Sequence, residues 1–104
     1  MALNKTVIVD KCEVLSLGST YTTKNWKVLQ IRTATVIDDD GTELSRSYHR
    51  HTITPGVVGV GTSITPTDVS GEDPSVQAIA NAVFDADCLE AYRLNEIGTR
   101  SETI

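Results

Sequence analysis

His49 and His51 are the residues of this chain best suited to hold a transition metal. On an extended strand a His-x-His pair points both imidazoles the same way, because side chains alternate with a period of two. Imidazole suits first-row metals, but two nitrogens make only half of a tetrahedral site. Completion needs a carboxylate from Asp10, Glu13 or the acidic residues 38–40, or further His pairs from other chains around a threefold axis. The competing reading is a pair of histidines that bond to neighbours or face solvent. The other face of the same strand carries Arg46, Tyr48 and Arg50. With Val57, Val58 and Val60 in the next segment, these form a candidate interaction surface.

Other chemistries find little support. Cys12 and Cys88 lie far apart, in no CxxC pattern and with no histidine nearby, so each reads as a free buried thiol rather than a nucleophile. No serine sits in a G-x-S-x-G context. Gly56, Gly59 and Gly61 lack the Lys-Ser/Thr pair or the strand–loop–helix setting of a phosphate loop. Asp38-Asp39-Asp40-Gly41 lacks the spaced Glu of a calcium loop and reads as a turn. The three tyrosines are not interleaved with a basic patch, so no platform for stacking bases is expected. The chain reads as non-enzymatic.

The elements that would position the histidines form a long hairpin. Residues 26–38 alternate, with Trp26, Val28, Ala34 and Val36 on one face and Leu29, Ile31 and Ile37 on the other. Apolar groups on both faces predict a central strand partly covered on both sides. Residues 42–54 are polar and predict an edge strand or a contact with another subunit. A first strand is expected over about residues 5–17, with a bulge near Asp10–Lys11 because its alternation changes phase there. The central strand is expected over 24–38 and the third over 42–54, with 57–64 a short strand or extended loop. Asp73-Pro74 and Asp85 are helix-start signals, predicting helices over about 74–84 and 86–96 that close over one face of the sheet. Residues 98–104 read as a flexible tail.

The fold class is therefore α+β, an antiparallel meander of three or four strands with two short C-terminal helices, in one domain over residues 1–97. An apolar content of 39% with 22% charged residues fits a globular domain rather than a disordered chain. A net charge of −5 without a basic run gives no support for binding nucleic acid or an anionic membrane. No apolar run reaches spanning length and no signal-peptide core follows Met1, so synthesis in the cytoplasm is expected.

Asp40-Gly41, Thr42 to His51, Pro55-Gly56, Val76 to Ala80 and Ala91-Tyr92 carry a resemblance. Over roughly Asp38 to Tyr92 the chain resembles a group of small uncharacterised proteins of tailed bacteriophages and prophages. It departs from them in the VVGVGTSITPT stretch, a lengthened loop, and in opening its second helix with DADC. The resemblance implies phage origin and a virion or virion-assembly role: a tail, neck, baseplate or capsid component, built in the host cytoplasm. Such a protein would work as a trimer, hexamer or ring, or against other virion proteins. An intracellular accessory protein that modulates a host partner is the alternative, and a metal-binding protein using His49 and His51 is a third.

Overall fold

The structure, a computed structural model, describes residues 2–101. The order is β1 (Leu3–Leu17), β2 (Trp26–Asp39), β3 (Thr42–Ile53), β4 (Gly56–Val58), β5 (Ile64–Pro66), α1 (Pro74–Val83) and α2 (Ala86–Ser101). The first three strands make one antiparallel sheet with β2 in the centre, and β4 and β5 make a separate hairpin. The fold is α+β with a β-meander.

Local chemistry accounts for the long hairpin. Asp40 and Gly41 both take positive φ, 50° and 91°, as a tight turn between twisted strands requires. The phase change in β1 is a bulge: pairing with β2 shifts between Val9 and Lys11, leaving Asp10 as the extra residue. A second bulge leaves Leu44 without a partner in β3.

Burial is concentrated at one end of β2, on both of its faces. Leu29 and Ile31 pack with Ile53 and with Val76 and Ala80 of α1. Trp26 and Val28, on the opposite face, pack with Cys88 and Ala91 of α2. Phe84, between the helices, touches both clusters. The helices therefore grip the two faces of one strand end, and the expectation that both close over a single face is corrected. The reason lies in β2, whose apolar side chains alternate onto both faces over residues 26–31.

A thiol completes the sheet at this end. Continuing the pairing of Leu29 with Ile53 would bring Pro55 opposite Lys27, and proline has no N–H to donate. Cys88 takes its place. Its Sγ accepts from Lys27 N–H at 3.2 Å and donates to Lys27 C=O at 3.8 Å. Asp85 holds that thiol in position by capping α2, accepting from Cys88 N–H at 2.8 Å. Asp73 caps α1 likewise, accepting from Ser75 N–H at 2.9 Å, with Pro74 in the first turn.

Two further expectations are corrected. Residues 57–64 are not one strand but parts of the β4–β5 hairpin, folded back on its own chain. Arg93 of α2 donates to Thr62 C=O at 3.0 Å, and Thr67 N–H donates to Pro55 C=O at 3.0 Å. The second helix does not stop near residue 96 but continues to Ser101, so residues 98–101 are helical; 102–104 lie outside the described residues. Gly98 is a packing glycine rather than a helix stop, since a Cβ there would collide with the Tyr21 ring.

The remaining sheet projects as an arm. The molecule measures 60 × 27 × 22 Å, with a radius of gyration of 17.9 Å. A compact chain of this length would have about 13 Å. Residues 42–50 of β3 and 3–8 of β1 are exposed throughout.

Leu29→Ala is expected to cost about 2–5 kcal/mol. Leu44→Ala, on the exposed arm, should stay within about 0.5 kcal/mol of wild type. Cys88→Ala should cost about 1–3 kcal/mol by orphaning two backbone groups, and Cys88→Ser, which keeps a donor and an acceptor, should cost less. Urea denaturation measures all of these. Hydrogen exchange at the Lys27 amide should accelerate in Cys88→Ala alone.

Candidate functional site

The arm has two faces of different character, assigned by the register of the sheet. Thr33, Thr35 and Ile37 of β2 share one face with Ser45, Ser47, His49 and His51 of β3. Arg32, Ala34 and Val36 share the other with Arg46, Tyr48 and Arg50.

On the first face the histidines lie side by side, with ring centroids 6.4 Å apart and planes inclined by 26°. His51 is already engaged. Its Nε2 lies 3.2 Å from both carboxylate oxygens of Glu72, which precedes α1. Two imidazoles and one carboxylate are a reasonable donor set for a transition metal. Yet among the described residues no three His, Cys, Asp or Glu side chains come close enough to share an ion. Asp10 and Glu13 do not join the histidines: Asp10 bonds Arg32 and Glu13 pairs with Lys11. Asp38 to Asp40 sit at the far tip of the hairpin. The Glu72 partner could not be found from sequence spacing, because 21 residues separate it from His51.

The second face carries an ordered polar network across all three strands. The bulge aims Asp10 at Arg32, and the two form a forked pair with bonds of 3.0 and 2.7 Å. The Arg32 guanidinium lies over the Tyr48 ring, 4.4 Å from its centroid. Arg46 is held by Glu43, with a shortest bond of 2.8 Å. Both arginines are therefore held on the arm by contacts within the chain. Ala34 is fully buried beneath this layer, between Ile8 and Tyr48 on the neighbouring strands. Arg50 makes no ion pair or hydrogen bond among the described residues and acts only at longer range, helping to lower the pKa of Glu13.

The Val57, Val58 and Val60 group lies apart from this network, on the β4–β5 hairpin. Val57 is 67% exposed, Val58 half-buried, and Val60 fully exposed in the turn. Thus Arg46, Tyr48 and Arg50 form one surface, and the three valines belong to another element. What sequence reading missed was Arg32 with Asp10. The signal was the phase break in β1, which marks the residue that a bulge re-aims.

Shallow recesses on the surface include one beside Lys11, Glu13, Arg32 and Arg50 and another beside Lys24, Asp87 and Glu90. A recess of about 130 Å³ beneath the β4–β5 hairpin is lined by Pro55, Pro66, Thr67, Val69, Ala80, Asn81, Phe84 and Leu89, none of them titratable. Burial raises the Cys12 and Cys88 thiols above their ordinary range, the opposite of an activated nucleophile. No helix is long and apolar enough to cross a membrane among the described residues. No protein-family model, curated protein or solved structure matches the chain.

The Arg32 hydrogen bond holds the Asp10 carboxyl below its ordinary value of 3.8, against a smaller opposing effect of burial. A carboxyl depressed in the folded chain adds stability that is fully present above its unfolded pKa. That stability is lost as the pH falls through the lower folded value. Asp10→Asn is therefore expected to lower the urea midpoint at neutral pH, and the gap from wild type should close as the pH falls below the ordinary carboxyl value of 3.8 and through the lower folded one. Urea titrations at several pH values measure that gap.

Proposed function

We propose that this chain is a non-enzymatic assembly protein, a phage-type virion or virion-assembly component that works by associating with copies of itself. The observation that carries this reading is the arm: a three-stranded sheet whose outer part has two uncovered faces and two open edges. A sheet beyond the reach of its own core gains little from packing within one chain. Its open edges are templates for further strands. The preordered Arg32, Arg46 and Tyr48 belong to the residue types that dominate contact energy, and fixing them in advance lowers the entropy lost on binding.

Metal binding is not needed for this role, because His51 already has Glu72 as partner. The resemblance to phage proteins supplies the virion context, and the elongated shape suits a part that reaches into a neighbour.

Light scattering behind a sizing column, from micromolar to millimolar chain, is the test. A defined oligomer whose population grows with concentration is expected. A monomer throughout would overturn the reading and favour an accessory protein that engages a host partner.

A further inference from the structure

From the open edge of β3 we infer that two copies join by antiparallel pairing of their β3 strands, about a twofold axis at Ser47, into one continuous six-stranded sheet. This rests on the self-association reading and names its contact.

The backbone sets which groups are available. The Lys27 N–H and C=O that Cys88 satisfies lie on the side of β2 that β3 has left. Alternation then directs Leu29, Ile31, Thr33 and Thr35 towards β3, and β3 answers through Ile53, His51, His49 and Ser47. The intervening residues, Arg46, Tyr48 and Arg50, turn their N–H and C=O groups to the outer edge. None of the backbone bonds made outside the sheet involves residues 42–51 among the described residues.

The side chains choose the register. A twofold that continues the sheet keeps each face on its own side, so the strands can slide only in steps of two residues. With the axis at Ser47, Arg46 lies opposite the second copy's Tyr48, and Arg50 meets its bulged Glu43–Leu44 step. Glu43 shares the face of Arg50, because the bulge brings it opposite Asp38. Arg50, without an ion pair among the described residues, so gains a share of the carboxylate that Arg46 holds in the second copy. Sliding by two residues one way centres the axis on Arg46 and sets Arg46 against itself. Sliding the other way centres it on Tyr48 and sets Arg46 against Arg50. Like charges directly opposite are destabilising. The Ser47 register is flanked by repulsive ones, which is how an edge can pair selectively. The edge of β1 is less suited, because the Asp10 bulge interrupts it midway.

Ser47 facing its own copy is a non-hydrogen-bonded position, where Cα atoms approach to about 4.5 Å. That is within disulfide reach. Under mild oxidation Ser47→Cys is expected to form a 47–47 disulfide between chains, mapped by peptide mass to separate it from Cys12 and Cys88. Ser45→Cys, opposite His49 in this register, should not link to itself. In parallel, Arg50→Glu and Glu43→Lys should each weaken association by about tenfold or more. An equimolar mixture should restore it, because each contact then meets opposite charge. Absence of the 47–47 link in a wild-type-like oligomer would overturn the edge pairing and leave self-association standing. A wild-type chain that stays monomeric would overturn both.

Discussion

The burial of both faces at one end of β2 is the constraint on which the molecule depends. Leu29 and Ile31 need a cover on one side and Trp26 and Val28 on the other. Neither helix can supply both, so the chain wraps α1 and α2 around the strand, and Phe84 contacts both clusters where it turns between them. The wrap is possible only because β3 has left the sheet at Pro55. That departure would orphan the backbone of Lys27, and the Cys88 thiol satisfies it. A free cysteine in this chain is thus a structural group, and its raised pKa follows from the burial that the role requires.

Concentrating the core at one end leaves the other end to be held by backbone ladders and cross-strand contacts. The ion pairs of the arm are partly or largely exposed, and such pairs contribute little to stability, about 0–1 kcal/mol each. Their physical consequence is order. Arg32 is fixed between Asp10 and Tyr48, and Arg46 is fixed by Glu43. The arm is thus an ordered surface with few buried side chains, which on the self-association proposal is suited to pairing with a second sheet.

The features legible in the sequence were local ones. The alternation of residues 26–37, the Asp40-Gly41 turn, the bulge at Asp10 and the caps at Asp73 and Asp85 are each set within a few residues. What could not be read depends on distant parts of the chain meeting. Gly98 looks like the start of a flexible tail until Tyr21 is seen packed against it. His51 looks like half of a metal site until Glu72 is found beside it. Arg32 looks like a polar interruption of a strand face until Asp10 and Tyr48 enclose it.

The most direct measurement is residue-resolved hydrogen exchange on β3 as a function of chain concentration. In dilute solution the amides of Ser47, His49 and His51 should be protected by β2, while those of Arg46, Tyr48 and Arg50 exchange freely. At high concentration the second set should become protected as well. An alternating pattern that fills in on concentration is what pairing at this edge predicts. Fast exchange at Arg46, Tyr48 and Arg50 at every concentration, in a chain that nonetheless assembles, would contradict it.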